Sequence, residues 1–251
     1  MLILKVAMVL YVGFGVVLYF AQNALIYYPT PEVDGSDTHA ERIAVDGAQI
    51  KVWVVGSPSA EALIYFGGNA EDVHRNAADV RSTLPGRTVY LVNYRGYGGS
   101  SGEPGEQALF ADALAVFDHV AARHERVAVM GRSLGSGVAT YLASERTVER
   151  LILVTPYDSV LAIAQRAYPF FPVGLMLRDR FDSVAYAAQV TSPVLALTAA
   201  NDDMIPAANS QRLVAAFRPG QVEQVVVERA GHHDISAWPR YWEAIATFLQ
   251  R

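Results

Sequence analysis

The 251-residue sequence contains no cysteine, which excludes disulfide bonds, a cysteine nucleophile and thiolate metal sites. Lysine occurs only at positions 5 and 51, so arginine carries nearly all of the positive charge. The formal net charge is −5 and no basic stripe is present, so the sequence does not indicate a nucleic-acid partner. It also lacks an H-E-x-x-H metal motif and a complete G-x-G-x-x-G nucleotide motif, so we expect neither a metal nor a cofactor.

One segment has almost no charge. From position 1 to position 20 the only charged side chain is Lys5, and the run is apolar on every helical face. About 20 such residues are enough to cross a bilayer core, and Tyr19, Tyr27 and Tyr28 near its end suit a membrane interface. We therefore expect residues 1–24 to form a transmembrane anchor. A cleaved signal peptide and a buried core helix are the alternatives, although we find no convincing small-x-small cleavage site.

Residues 30–40 are polar and rich in turn formers, which predicts a short linker between the anchor and a folded domain. Positive charge favours the cytoplasmic side of a membrane, and Lys5 precedes the apolar run. The acidic side chains follow that run, and they are Glu32, Asp34, Asp37 and Glu41. The domain that follows is therefore expected outside the cytoplasm.

After the linker, short β-branched runs alternate with amphipathic stretches. The predicted strands are 42–45, 50–55, 62–66, 88–93, 127–130, 151–155, 194–198 and 224–228. The predicted helices are about 71–84, 105–123, 134–145, 207–217 and 237–250. This alternation is typical of an α/β domain with a mainly parallel sheet covered on both faces. Asp46-Gly47 between the first two runs is a hairpin signal, so we expect the leading edge to be antiparallel.

The connection after the strand 151–155 is unusually long. Residues 156–193 include an aromatic and apolar stretch around positions 168–177. Long insertions in compact domains are usually functional, so we expect a small cap over the site. The alternative is an ordinary crossover helix with an extension that is broken by proline.

The most informative motif is Gly131-Arg132-Ser133-Leu134-Gly135, a G-x-S-x-G between a predicted strand and a predicted helix. This is the context of a nucleophile elbow, in which a strained turn exposes the serine hydroxyl and the glycines avoid steric collisions. A serine hydroxyl needs a base to take its proton and a carboxylate to orient that base. The motif therefore predicts nucleophilic catalysis by Ser133.

The acid and base should follow in that order at later strand ends. Asp202 and Asp203 both follow the strand 194–198, and both could instead be solvated turn residues. His232 and His233 follow the last strand, and we favour His232 because it comes directly after a glycine.

Acyl transfer also needs donors for the developing oxyanion. The backbone N–H of Leu134, at the start of the elbow helix, is the first expected donor. The backbone N–H of Asn69, in the glycine-rich loop after the third strand, is the second. Asn69 could also, or instead, cap the following helix.

Several segments together resemble one family, the Bem46-like membrane-anchored α/β-hydrolases. The matching segments are N-Y-R-G-Y-G-G-S-S-G-E-P at 93–104, G-R-S-L-G-S-G at 131–137, R-D-R-F-D-S at 178–183, D-D-M-I-P at 202–206 and G-H-H-D at 231–234. The resemblance covers about residues 1–250 and selects Asp202 as the acid and His232 as the base. Gly67 stands where the family usually has histidine, and His233 stands where it has asparagine.

The resemblance implies an α/β-hydrolase fold: an eight-stranded, mostly parallel sheet with flanking helices, a short cap at about 156–193 and an N-terminal transmembrane helix. It divides the chain into an anchor, 1–24, and a hydrolase domain, 25–251. It implies hydrolysis of esters or thioesters, with a small-molecule or lipidated acyl substrate and no cofactor. A peptidase of the proline-aminopeptidase type and a catalytically silent membrane scaffold remain alternatives.

Overall fold

The computed structural model describes residues 1–35 and 38–251, and its centre is one eight-stranded sheet. Positions 36 and 37 of the predicted linker lie outside the described residues. All eight predicted strands are present, with ends that differ by a few residues. The strands are β1 (His39–Val45), β2 (Ala48–Val55), β3 (Glu61–Phe66), β4 (Thr88–Val92), β5 (Arg126–Arg132), β6 (Leu151–Val154), β7 (Val194–Asn201) and β8 (Val222–Gly231).

The strand order across the sheet is β1-β2-β4-β3-β5-β6-β7-β8. β2 pairs antiparallel with β1 and with β4, and every other neighbouring pair is parallel. The β1–β2 turn has positive φ at both Asp46 (39°) and Gly47 (77°), as a tight hairpin of this hand requires. The predicted antiparallel leading edge is therefore confirmed. The β1 strand begins at His39, so it takes up the end of the predicted linker.

Helices cover both faces of the sheet. They are α1 (Leu2–Ile26), α2 (Ala77–Thr83), α3 (Glu106–Ala121), α4 (Leu134–Glu145), α5 (Val160–Ala167), α6 (Val173–Met176), α7 (Ser183–Ala187), α8 (Ala207–Ala216) and α9 (Pro239–Leu249). Alternate residues of each strand face two separate apolar clusters. One contains Ile64 and Val129 with α3 and α4, and the other contains Leu63 and Met130 with α2 and α9. The parallel strands read as continuous apolar runs because both faces are buried.

α1 is one 25-residue helix, and its apolar 18-residue window has a mean hydropathy of 2.2 with none of that window buried. Length and composition therefore suffice for this helix to cross a membrane. Its solvent-facing apolar surface differs from that of a core helix, whose side chains are enclosed. Within the described residues, Gln22 is the one buried residue of the helix.

The segment between β6 and β7 forms the cap. It contains α5, α6 and α7 rather than a single crossover helix. Phe181 anchors the cap to the domain: it is fully buried, and its ring lies 5.5 Å from Phe110 and 6.5 Å from Tyr27. Glu106, the first residue of α3, accepts backbone N–H bonds from Arg180 (2.7 Å) and Phe181 (3.0 Å). The R-D-R-F-D-S segment therefore fixes where the cap returns to the sheet.

Candidate active site

Ser133 occupies a strained turn between β5 and α4. Its φ of 48° and ψ of −116° lie outside the regions that ordinary side chains adopt. A Cβ on Gly131 would overlap the Gly135 carbonyl and lie 2.7 Å from the Ala139 Cβ, and a Cβ on Gly135 would overlap the Phe66 carbonyl. Only glycine fits at these two positions, so the turn has the steric form that the motif predicts.

Parallel pairing brings the three predicted triad residues to the same edge of the sheet. Ser133, Asp202 and His232 each follow the last residue of a strand: β5, β7 and β8, respectively. His232 Nε2 lies 3.0 Å from Ser133 Oγ, and His232 Nδ1 lies 2.9 Å from Asp202 Oδ2. These distances allow a hydrogen-bonded relay from the hydroxyl through the imidazole to the carboxylate. The three predicted residues therefore meet in one site, and their catalytic roles remain predictions.

The surroundings of Asp202 keep it ionised. Burial raises the pKa of its carboxyl group, but hydrogen bonds from His232 and from the backbone N–H of Ile205 outweigh this, so the pKa lies below its usual value. The Ile205 and Met204 N–H groups donate to Oδ1 at 2.7 Å and 3.0 Å. A carboxylate on Nδ1 favours the tautomer in which Nε2 can accept the Ser133 proton.

The alternative acid and base lie outside this relay. Asp203 and His233 are both exposed, while His232 is only 5% exposed. Three other histidines are half-buried, each in a structural contact. His74 contacts Thr38, His119 contacts Glu41, and His124, which lies beyond the end of α3, contacts the Tyr90 hydroxyl and the Ser59 carbonyl.

The two predicted oxyanion donors flank Ser133. Leu134 begins α4, and Asn69 follows Gly68, where a Cβ would lie 3.7 Å from the Ser133 Cβ. In the described part of the chain, neither backbone N–H has a protein acceptor. Both are therefore free to donate to a substrate oxygen, which is what an oxyanion hole requires.

Asn69 does not cap the following helix, contrary to the alternative reading of the sequence. Asp72 instead caps the short 3-10 helix Val73–Asn76, which precedes α2, and its carboxylate accepts from the N–H of His74. The Asn69 side chain instead donates to the Ile26 carbonyl (2.7 Å) and accepts from the Tyr28 N–H (2.9 Å). It thus ties the oxyanion loop to the chain just beyond α1, a role with no local sequence signal.

Arg132 and Glu71 form a support for the site that the sequence analysis missed. Arg132 Nη2 donates to the carbonyl oxygens of His232 (3.1 Å) and His233 (2.9 Å). Glu71 accepts from the Gly68 N–H (2.6 Å) and lies 3.8 Å from Arg132 Nη1. Together they join the elbow, the base loop and the oxyanion loop. The signal was weak, because Arg132 fills the unspecified position of G-x-S-x-G.

Two cavities meet at Ser133. The first, of about 360 Å³, lies between α1 and the cap and is lined almost wholly by apolar side chains, including Leu18, Ile163 and Met176. Among the described residues that line it, none carries an ionisable carboxylate or a basic group. The second, of about 570 Å³, is more polar and includes Glu71 and His233. The site can therefore hold an apolar group on one side of Ser133 and a polar group on the other.

Known proteins match both the sequence and the fold. The model of the alpha/beta hydrolase fold family matches residues 62–185. An uncharacterized protein of Mycobacterium tuberculosis is 34% identical over 247 residues, which cover 91% of this chain and 87% of that protein. Human alpha/beta hydrolase domain-containing protein 17C is 29% identical over 244 residues, covering 92% of this chain and 71% of its own.

Solved structures with the same architecture include an esterase, Pf2001 of Pyrococcus furiosus. It superposes with a TM-score of 0.70 at 20% identity, over 89% of this chain and 99% of that one. The chain belongs to the α/β-hydrolase family. The predicted fold class and the resemblance to α/β-hydrolases are thus confirmed, and the family indicates a hydrolase.

Proposed function

We propose that this protein is a membrane-anchored serine hydrolase that cleaves carboxylic ester or thioester bonds of lipophilic acyl substrates. The observation that carries the proposal is the hydrogen-bonded series Ser133–His232–Asp202, whose Ser133 lines an apolar cavity. The human relative and the Pyrococcus furiosus protein are named as a hydrolase-domain protein and an esterase, which agrees with this reaction class.

In the proposed mechanism, Ser133 Oγ attacks the acyl carbonyl carbon while His232 Nε2 takes the hydroxyl proton. The backbone N–H groups of Leu134 and Asn69 donate to the oxyanion, at the start of a helix whose dipole favours negative charge. Asp202 holds the imidazole in place and stabilises its charged form. His232 then protonates the leaving alcohol or thiol, which departs and leaves an acyl group on Ser133.

In the second half of the reaction, His232 removes a proton from water, which attacks the acyl carbonyl carbon and releases the acid. His232 gives this proton to Ser133 Oγ as the acyl–oxygen bond breaks, so the free hydroxyl and the neutral imidazole are regenerated. Among the described residues, no cluster of His, Asp and Glu could hold a metal ion.

The apolar cavity supports an acyl chain as the group bound beside Ser133. Each methylene that leaves water contributes about 0.8 kcal/mol, or about fourfold in binding. The more polar cavity on the other side suits the leaving group. In this proposal residues 1–24 serve as the anchor and residues 25–251 as the hydrolase domain, with the cap at about 156–193 covering the acyl side.

A peptidase that holds a free amine would need an acidic group beside Ser133 on the cap side. The described lining residues of the apolar cavity include none, and Asp179 of the cap accepts a 2.7 Å hydrogen bond from the Tyr27 hydroxyl. These observations favour an acyl substrate over an amino-terminal peptide.

The experiment that tests the proposal is hydrolysis of p-nitrophenyl esters from acetate to palmitate by the wild type and by Ser133→Ala. We expect the variant to lose on the order of a thousandfold or more of kcat, as when other catalytic triads lose their nucleophile. We also expect kcat/KM to rise with chain length until the cavity is full. Equal rates for both proteins would show that Ser133 is not the nucleophile. No activity of the wild type on any ester would favour the alternative of a catalytically silent membrane scaffold.

A further inference from the structure

The tip of the cap, residues 168–177, is apolar and partly exposed to solvent. Residues 167–177 contain no charged side chain. Phe170 is 85% exposed and Leu175 is 88% exposed. Large apolar side chains that are this exposed, and that lie together, indicate a surface that contacts something apolar.

The cap tip is packed against α1. The Phe171 ring stacks on the Tyr11 ring at 4.8 Å and lies 5.5 Å from the Phe14 ring. The Tyr11 hydroxyl also donates a 2.7 Å hydrogen bond to the Phe170 carbonyl. The exposed apolar side chains of the cap tip therefore form one continuous surface with the exposed apolar side chains of α1.

The length of α1 limits how the helix can sit in a bilayer. Before Tyr11, the helix has only residues 2–10, which rise about 14 Å at 1.5 Å per residue. The hydrocarbon core of a bilayer is about 30 Å thick. The part of α1 that is free of the cap is thus about half as long as a span requires. To cross the core, the helix must also immerse the part that carries the cap tip.

Polar groups mark where the immersed part ends. The Arg178 guanidinium lies 5.1 Å from the Tyr19 ring centroid and donates to the Tyr19 carbonyl at 3.2 Å. From Leu2 to Leu18 the helix rises about 25 Å, close to the thickness of the hydrocarbon core. Gln22, the buried polar residue of α1, accepts from the Arg178 N–H at 2.8 Å, so the cap covers it.

We propose that the cap tip, residues 168–177, lies in the bilayer hydrocarbon beside α1, and that the acyl cavity opens there. Cavity-lining residues come from α1 (Leu18, Leu25), from the tip (Phe171, Met176) and from the elbow (Ser133). An acyl chain can then pass from lipid to Ser133 without crossing water. This loading step rests on the proposed hydrolase activity, whereas the immersion of the tip rests only on the proposed membrane span of α1.

The absence of cysteine allows a direct test in the full chain. A nitroxide is attached to Leu175→Cys in phosphatidylcholine vesicles, and its collisions with oxygen and with a nickel chelate are compared. The control is Val226→Cys, a 51% exposed position on the edge strand β8. We expect the oxygen-to-nickel ratio at position 175 to exceed the control several-fold, because oxygen concentrates in hydrocarbon and the chelate stays in water.

Two outcomes would overturn the immersion. A ratio at position 175 equal to that at position 226 would place the tip in water. Low collision rates with both reagents, together with spin–spin broadening at higher protein density, would show that a second copy of this chain covers the tip instead. Neither measurement depends on turnover, so failure of the immersion can be told apart from failure of the proposed hydrolase activity.

The loading step is tested by comparing the variant Leu175→Asp with the control variant Val226→Asp. Leu175 does not line the cavity, so its substitution leaves the cavity wall intact. The rate of each variant is measured on a soluble acetate ester and on a long-chain ester embedded in phosphatidylcholine vesicles. We expect Leu175→Asp to lower the long-to-short rate ratio several-fold and Val226→Asp to leave it unchanged. If the label at position 175 is immersed but this ratio is unchanged, the acyl chain reaches Ser133 by another path and the loading step is wrong.

Discussion

At the level of single residues, the elbow depends on two glycines that cannot carry a side chain. The turn holds Ser133 at positive φ, which costs on the order of 1–3 kcal/mol and persists only because the neighbouring strand and helix leave no other path. Gly135 packs directly against the Phe66 carbonyl at the end of β3. The close approach that exposes the Ser133 hydroxyl therefore also joins α4 to the centre of the sheet.

We predict that Gly135→Ala severely destabilises the protein, by about 3 kcal/mol or more, because the new methyl group overlaps backbone that cannot move aside. Gly86→Ala is the matched control, since a Cβ there meets nothing within 4 Å. Chemical unfolding in detergent measures both changes. If the two variants unfold at the same denaturant concentration, the elbow has room for a methyl group at position 135.

The lowered pKa of Asp202 leads us to predict that the free energy of unfolding depends on pH. Its pKa in the folded protein lies below that in the unfolded chain, so the unfolded chain binds more protons between the two values. The stabilisation is present above the unfolded pKa, near 4 for aspartate, and is lost as the pH falls through the folded pKa. Asp202→Asn lacks this titration, so we expect its stability to fall less steeply below about pH 4.

The same substitution should lower kcat by up to about ten-thousandfold, as when other triads lose their carboxylate. Asp203→Asn, at the exposed neighbouring position, is the control and should keep the wild-type rate. Unfolding midpoints between pH 5 and pH 3 and initial rates at neutral pH check the two parts. Equal effects from the two variants would mean that Asp202 is not the acid.

At the level of elements, α1 and the cap form one unit around the apolar cavity. α1 supplies Leu18 and Leu25 to the lining, and the cap supplies α5 and α6. Hydrogen bonds from Gln22 to the Met176 carbonyl (3.4 Å) and from the Arg178 N–H to Gln22 join the two. The candidate anchor is thus also a wall of the candidate substrate site, so its sequence should affect specificity.

We predict that Leu18→Trp shortens the longest acyl chain that the enzyme accepts, because the larger side chain fills part of the cavity. Leu10→Trp makes the same substitution on the same helix at a 68% exposed position that does not line the cavity. Chain-length profiles of kcat/KM, from acetate to palmitate, compare the two. An unchanged profile for Leu18→Trp would mean that the acyl chain binds elsewhere.

At the level of the whole molecule, the sheet and its two apolar clusters are independent of most of α1. In the described part of the chain, Tyr27 is the first residue to enter either core cluster. Residues 1–18 therefore lie outside both clusters, and the packing of the sheet against α2, α3, α4 and α9 supplies the stability.

We predict that deletion of residues 1–18 releases the protein from membranes while changing Tm by only a few degrees. A cost of about 1 kcal/mol shifts Tm by roughly 2–4 °C in a domain of this size. Sedimentation with vesicles and thermal unfolding measure the two effects, with Leu10→Trp as a full-length control. Loss of the folded state on deletion would show that α1 is part of the core, which is the alternative that its exposed surface argues against.

Much of this protein follows from local patterns. All eight strands, the Asp46-Gly47 hairpin and the strand–turn–helix around Ser133 were predicted because side-chain periodicity and turn chemistry act over a few residues. The chain order serine, acid, histidine was predicted from the order that accompanies a nucleophile elbow, and their meeting at one edge from the carboxyl ends of parallel strands. These features need no knowledge of which strands are neighbours.

The tertiary structure alone decided the rest. The residue patterns left Asp202 and Asp203 open until a family resemblance chose between them, and only packing turns Asp202 toward His232 while Asp203 faces solvent. The Asn69 clamp, the Arg132 support and the cavity between α1 and the cap join segments up to 159 positions apart. Such contacts arise when the sheet, the cap and α1 pack together. Local sequence patterns extend over a few residues, so they carry no information about contacts between segments this far apart in the chain.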